Sequence, residues 1–474
     1  MVLIDDQDEY AKLVRGMNPP RVEIDNEISK IGTFIQVDSV NTHGTLLALV
    51  QVITDLNLVV RKAYFTADGD WFMDVFYVTD RDGEKVTDEA TLNYIQTTLE
   101  SDDCYYTEAR DNSADIVPSE SEEDSHQYSS IELTGTDRPG LLSEVCAVLS
   151  DVRCAVVSAD LWTCNTRVAA VVQVADAATG VAISADPARV AEISRRLAHL
   201  LRSRSWCHAT VAASVAEEPS LVAMHKERRL HQLMAADPES GVIEGDGAYL
   251  QPAPGTTPAT VVEVTDCAQR GYTFVVVRCR DVPKLLFDTV CTITDAQYVV
   301  YHGNVSTEPD GVTAYQEYYV RNKAGLAATE PERLLLKRQL EAAVERRFAD
   351  GIELEVRSGD RAGLLSDVTR IIRENGLTIL RAGVKSQGGE AVDTFYVSDP
   401  MGLDYPVEPR TIDTIRAQIG EATLRVKKNP FADADQQQQQ HDAAASVVGA
   451  IAFILGSVYK FYRPFQSLAL VKLY

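Results

Sequence analysis

Two stretches far apart in this chain are near copies of each other: GTDRPGLLSEVCAVLSD, residues 135–151, and SGDRAGLLSDVTRIIRE, residues 358–374. A chain that writes the same turn and helix twice is built by repetition, so one supersecondary unit has to account for most of it. Around the later copy, GIELEVRS alternates like a strand and RAGLLSDVTRIIREN has helical periodicity. LTILRAGVKS and EAVDTFYVSD then read as two strands, and PRTIDTIRAQIG as a second helix before TLRVKK. The order is βαββαβ, with Gly388 and Gly389 supplying the φ freedom of a tight central hairpin. The earlier copy follows the same order through SSIELTGT, PGLLSEVCAVLSD, AVVSADLWTC, TRVAAVVQVA, PARVAEISRRLAHLLRS and CHATVAAS, with Asn165 at its hairpin.

Two looser copies complete the pattern. The first runs TFIQVDSV, GTLLALVQVITDL, LVVRKAYFTA, DWFMDVFYVTD and DEATLNYIQTTLE, with Asp68 and Gly69 at the hairpin. The third runs YTFVVVRCRD, PKLLFDTVCTITD, AQYVVYHGNVS, VTAYQEYYVRN and PERLLLKRQLEAAVERRF. The expected division is an N-terminal segment (1–30), repeat one (31–110), an acidic, serine-rich linker (111–129) and repeat two (130–215). A linker with a basic helix, HKERRLHQLM, and a Gly/Pro loop (216–269) comes next, then repeat three (270–350), repeat four (351–428) and a flexible Gln-rich and apolar tail (429–474). Only one strand, Gly351 to Arg357, lies between the last helix of repeat three and the turn of repeat four, which predicts that these two repeats pack as one rigid unit.

The 474 residues are enough for several domains, and 45% hydrophobic with 24% charged residues supplies their cores. A net charge of -25 opposes direct nucleic-acid binding and anionic membranes. The eight cysteines form no CxxC pair, which suits a reducing compartment. The N-terminus MVLIDDQDEYAKLV has neither the basic start nor the apolar core of a signal, so an intracellular, soluble protein of cytoplasm or nucleus is expected.

A βαββαβ unit of about 70 residues with D-R-x-G-L-L between its first strand and first helix resembles the ACT domain. Four in tandem, with HKERRLHQLM between the second and third, resemble the plant ACT-domain-repeat (ACR) family, related to the C-terminal part of bacterial uridylyltransferases. The resemblance implies an α+β chain of four ferredoxin-like domains that bind small molecules, usually amino acids, for regulation, and glutamine is the effector that family analogy suggests. Domains of this kind pair within a chain or across chains, so a homo-oligomer and an internally paired monomer both stay open.

A helix that begins just after Asp137 or Asp360 exposes backbone N–H groups that attract an anion such as an amino acid's carboxylate. Asp137 and Asp360 would then meet the ammonium group, Gly140 and Gly363 would allow close approach, and Leu141, Leu142, Leu364 and Leu365 would wall the pocket, with Arg138 and Arg361 beside them. The competing account is structural: Asp as an N-cap, Pro139 in the first helical turn, and leucines facing the core. Repeat three has Asp281-Val282-Pro283-Lys284 and repeat one has Asn41-Thr42-His43-Gly44, so both depart from the pattern; Asn41 would read an amide or simply turn the chain.

No phosphate loop, nucleophile elbow or metal-ligand cluster appears, and no cofactor is called for. His225 and His231 fall on different helix faces, Lys226, Arg228 and Arg229 form a small basic patch, and His441-Asp442 sits in the polar tail. The uncharged run Ala443 to Tyr459 is too diluted with Ala, Gly and Ser for a membrane span. The expectation is a non-enzymatic regulator that senses amino-acid or nitrogen status and acts on a protein partner; the alternative is an adaptor whose repeats are purely structural.

Overall fold

The computed structural model describes residues 19–69, 71–101, 128–164, 167–183, 186–202, 213–215, 225–235, 260–308, 310–348, 351–361, 363–387, 389–401 and 405–428. Most of the acidic linker, the Gly/Pro loop, the tail with His441-Asp442, and Asn165, Gly388, Cys104 and Cys207 lie outside the described residues.

Repeat one comprises β1 (Arg21–Asp25), β2 (Thr33–Val40), α1 (Thr45–Asp55), β3 (Val59–Asp68), β4 (Trp71–Thr79) and α2 (Glu89–Glu100). Repeat two comprises β5 (Ser129–Thr136), α3 (Leu141–Asp151), β6 (Cys154–Cys164), β7 (Arg167–Asp176), α4 (Pro187–Arg202) and β8 (Ala213–Val215), and α5 (Lys226–Ala235) follows it. Repeat three comprises β9 (Val261–Cys267), β10 (Tyr272–Arg280), α6 (Leu285–Asp295), β11 (Tyr298–Thr307), β12 (Thr313–Asn322) and α7 (Glu330–Phe348). Repeat four comprises β13 (Ile352–Gly359), α8 (Leu364–Glu374), β14 (Thr378–Gln387), β15 (Glu390–Ser398), α9 (Pro409–Ile419) and β16 (Leu424–Lys428).

The strands form two eight-stranded antiparallel sheets, β1-β2-β4-β3-β11-β12-β10-β9 and β16-β13-β15-β14-β6-β7-β5-β8. Repeat one therefore pairs with repeat three, and repeat two with repeat four, edge to edge through β3–β11 and β6–β14. This corrects the expectation that repeats three and four form one unit around a shared strand. β13 pairs only with β15 and β16 of its own repeat, while repeat three takes its edge strand from residues ahead of it. Repeats one and three are thus ββαββα. β1 and β9 occupy the sheet position that the last strand fills in repeats two and four, because an antiparallel neighbour can reach that edge from either end of the unit.

The repetition persists where the sequence has drifted. The strand that follows the first helix of every repeat carries a register shift at the same place, between Val60 and Lys62, Val156 and Ser158, Val300 and His302, and Ile379 and Arg381. Such an extra residue bends the strand and strengthens its twist. After each first helix the chain reverses through a left-handed residue: Asn57, Arg153, Gln297 and Gly376.

Each sheet buries one face beneath its helices, giving a core in each pair that runs continuously across the repeat boundary. The other face of the second sheet is covered by α5, whose Leu230, Leu233 and Met234 pack on Trp162, Ala169 and Val171. Helix α5 also contacts α6, so it is wedged between the helices of one pair and the bare sheet of the other.

Candidate functional site

The doubled turn does not start its helix where the sequence suggests. Helices α3 and α8 begin at Leu141 and Leu364, and the residue before each, Gly140 at φ 84° and Gly363 at φ 83°, is left-handed. Leu141 N–H donates to the Arg138 carbonyl at 3.0 Å and Leu364 N–H to the Arg361 carbonyl at 3.1 Å, so a tight turn separates each aspartate from its helix. Pro139 consequently sits in that turn and not in the first helical turn, and neither helix has a side-chain cap bond. Glycine is favoured because an L-residue there places its Cβ against the following carbonyl. Arg138 bridges to Glu144 at 2.5 Å and Arg361 to Asp367 at 2.6 Å, so both arginines brace their own turns.

At two of the four equivalent turns, those of repeats one and two, side chains bridge to the paired repeat, and in repeat three a lysine replaces the glycine. In repeat one, His43 donates from Nε2 to the Thr294 carbonyl at 2.9 Å, and the Asn41 amide is directed to the Val300 carbonyl at 3.5 Å, which commits it to repeat three. In repeat three, Lys284 takes the glycine position at φ 70° and sends its ammonium to Glu227 of α5, while Asp281 accepts from Thr307 at 2.7 Å. In repeat two, Arg373 from α8 lies on Gly140, with its Cδ where it would collide with a Cβ. The gap left beside Asp137 is only about 20 Å³.

The repeat-four turn is open. Nothing lies within 4 Å of a Cβ built on Gly363. The counterpart of Arg373 is Ser150 of α3, and the space it leaves is a cavity of about 220 Å³ running from the turn towards Cys146, Ser150, Arg153 and Cys154 of repeat two. Pairing of β6 with β14 holds the two walls together.

Charge distinguishes this cavity further. Asp393 of β15 lines it, is 1% exposed, and leaves Oδ1 without a hydrogen-bond partner among the described residues. Burial and the neighbouring Asp360 push its carboxyl up to about 7, against a bond from the Lys385 backbone that lowers it. Asp360 accepts from the Ser386 hydroxyl, and its own N–H is spent on the Gly389 carbonyl at 2.8 Å. In α8, Asp367 N–H already bonds the Gly363 carbonyl, leaving the N–H groups of Leu365 and Ser366, both on the cavity wall, without intrahelical acceptors. The site therefore offers carboxylates to a cation and helix N–H groups to an anion. Beside the filled gap, burial raises the Asp137 carboxyl to about 6, while the position matching Asp393 is Ala170.

Asp137, Arg138, Gly140, Leu141 and Leu142 all line the small gap, and Asp360, Arg361, Gly363, Leu364 and Leu365 all line the large cavity. Leu141, Leu142 and Leu364 are buried in the helix–sheet core. Asp393, Ser386 and the Ser150/Arg373 difference escape a reading confined to the repeated turn. A signal for Asp393 exists, since AVDTFYVSD places it in register with Ala391, Phe395 and Val397 on the face that should be apolar.

The basic linker helix is consumed by the fold. Arg228 bonds Asp295 at 2.9 Å, Arg229 bonds Glu132 at 2.6 Å, and His225 and His231 bond Asp55 at 2.7 Å and Asp288 at 2.8 Å. Although burial opposes it, Arg347 and His231 hold the fully buried Asp288 carboxyl well below the usual range.

Against known proteins, a model described as the ACR family N-terminal ACT domain matches residues 28–106, and models of the ACT domain match 127–198 and 352–404. The chain is 47% identical over 474 residues to the ACT domain-containing protein ACR4 of Arabidopsis thaliana, covering 99% of each. It is 49% identical over 427 residues to ACR6 of the same plant, covering 89% of this chain and 92% of that one. A bifunctional uridylyltransferase/uridylyl-removing enzyme of Phenylobacterium zucineum is 35% identical over 80 residues, 17% of this chain and 8% of that enzyme.

Proposed function

Because this chain belongs to the plant ACR family of ACT-domain proteins, we propose that it is a non-enzymatic regulator that binds one amino acid in the cavity between repeats four and two, beside Asp360. ACT domains typically bind small ligands such as amino acids in regulation, and members of this family consist of ACT domains without a catalytic domain. The observation that carries the reading is the contrast between two equivalent turns, one filled by Arg373 and the other an open cavity of about 220 Å³ with an unpartnered buried carboxylate. That volume is many times what one water needs and leaves room for a small polar molecule such as an amino acid with its head at the mouth. An affinity between about micromolar and millimolar suits a sensor of cellular amino acids and asks roughly 4 to 8 kcal/mol of such a ligand, within the observed range per atom.

The ligand's carboxylate meets the N–H groups of Leu365 and Ser366, and its ammonium meets Asp360. Occupancy bridges α8 and α3, so it stabilises the contact between repeats four and two, and a partner that reads the state of that contact reads amino-acid supply. At the turns of repeats one and two the structural role suffices, because His43 is bonded across the repeat boundary and Arg373 fills the space, and in repeat three Lys284 replaces the glycine and pairs with Glu227. Among the described residues no helix is long and apolar enough to cross a membrane.

Thermal-shift titration with each of the common amino acids tests the reading. At least one raises the melting temperature of the natural chain, and Ser150→Arg, which recreates the Arg373 plug, abolishes the rise while leaving the unliganded melting temperature within a few degrees. No rise with any amino acid, or a rise unaffected by Ser150→Arg, would refute it.

A further inference from the structure

We propose that the site beside Asp360 selects an amino acid whose side chain ends in a cation, of the lysine or ornithine type, with Asp393 as the residue that reads that cation. The inference rests on the amino-acid reading of the cavity and adds what that reading leaves open, the chemistry of the side chain.

The cavity presents two carboxylates at different depths. Asp360 is exposed at the mouth, next to the α8 N–H groups, and is the natural mate of an α-ammonium. Asp393 is 1% exposed, sits on the inward face of the sheet, and has Oδ1 free of any bond. On the lining, Arg361 is held by Asp367, and Arg153 is exposed at the rim, so no cation among the described residues reaches Asp393. Cys146 of α3 and Asp360 are the titratable neighbours, with the Lys385 backbone as its one donor. Burial pushes the Cys146 thiol up to about 12, so it stays neutral.

A ligand covering Asp393 with an aliphatic side chain would leave that carboxylate drier and still unpartnered, which is costly. A primary amide supplies only neutral N–H donors. A side-chain ammonium supplies a charge-assisted bond, about twice as strong as a neutral one. The order lysine or ornithine, then glutamine, then norleucine follows from the charge inventory alone. At the repeat-two turn Asp137 remains, but Ala170 replaces Asp393 and Arg373 brings its own charge into the gap.

Proton linkage provides a readout that packing cannot imitate. A ligand cation requires ionised Asp393, whose carboxyl titrates near 7 in the empty site. Affinity for lysine is therefore flat above about pH 7.5 and falls by up to tenfold per unit below about pH 6.5.

The experiment is isothermal titration of the full chain with lysine, ornithine, glutamine and norleucine at pH 6, 7 and 8, repeated on Asp393→Asn and Asp393→Ala. Expected at pH 8 is a lysine or ornithine affinity at least tenfold above glutamine, a loss of at least tenfold in Asp393→Asn, and disappearance of the acid-limb slope in both variants. If neutral amino acids bind the natural chain as tightly as lysine, or if Asp393→Asn leaves lysine affinity and its pH slope unchanged, the cation assignment is overturned while the amino-acid site stands. If no amino acid binds at any pH, the site reading itself fails and the assignment falls with it.

Discussion

Replacing Asp393 with asparagine should stabilise the unliganded protein, and by an amount that depends on pH. The natural carboxyl is raised from an ordinary value of 3.8 to about 7 in the folded chain, so between those values the folded state holds a proton that the unfolded state has lost. Stability contributed by this group is therefore largest below about pH 4 and declines as pH rises through 7. A rise of roughly 3 units at about 1.36 kcal/mol each makes the full swing about 4 kcal/mol. Asparagine has nearly the same shape and no charge to bury. The expected result is variants of equal stability near pH 4 and a gap that opens by up to about 1.4 kcal/mol per unit, levelling off above pH 7 with Asp393→Asn the more stable. Urea denaturation of ligand-free chains at pH 4, 5, 6, 7 and 8, followed through the transition of the repeat-two and repeat-four pair, measures it. A gap that is constant with pH, or one in which asparagine is the less stable at pH 8, would show that Asp393 is not a strained buried carboxylate.

The two turn glycines should differ in tolerance: Gly363→Ala meets open space and costs only the left-handed strain, about 1–2 kcal/mol, whereas Gly140→Ala adds a collision with Arg373 and melts lower. Arg347→Met leaves Asp288 buried beside His231 without its main cation and should cost about 3–5 kcal/mol by denaturant midpoint, while Arg195→Ala, on an exposed bridge to Glu192, should leave the midpoint nearly unchanged. Leu230→Ala empties a fully buried position between the two pairs, at about 2–5 kcal/mol, and should make the connections on either side of α5 cleave faster under limited proteolysis.

The repeat unit is legible in the sequence because each strand alternates with period two and each helix buries one stripe, so GIELEVRS and RAGLLSDVTRIIREN announce themselves locally. Which repeats pair is not legible. The joining strands β3 and β11 meet through backbone hydrogen bonds, between residues such as Tyr64 and Asn304 that carry no sign of the partner. The edge strands are hidden for a similar reason: β1 is only RVEID, one side of it reaches β2 and the other has no neighbour in the sheet, so little in its composition marks it. The turn was visible, but the open and filled versions differ by Ser150 against Arg373 on the opposite repeat, a contact that exists only after repeats two and four have paired. Asp393 was visible in principle as a charge on an apolar face, and Asp74 breaks the same face of β4 in repeat one with its carboxyl likewise raised by burial.

Calorimetric stoichiometry tests the central claim most directly. Titrating the natural chain and Ser150→Arg with the amino acid that gives the largest thermal shift should yield one site per chain in the first and none in the second. Two sites per chain, or an undiminished site in Ser150→Arg, would contradict the assignment of the open cavity beside Asp360 as the place where this protein reads its ligand.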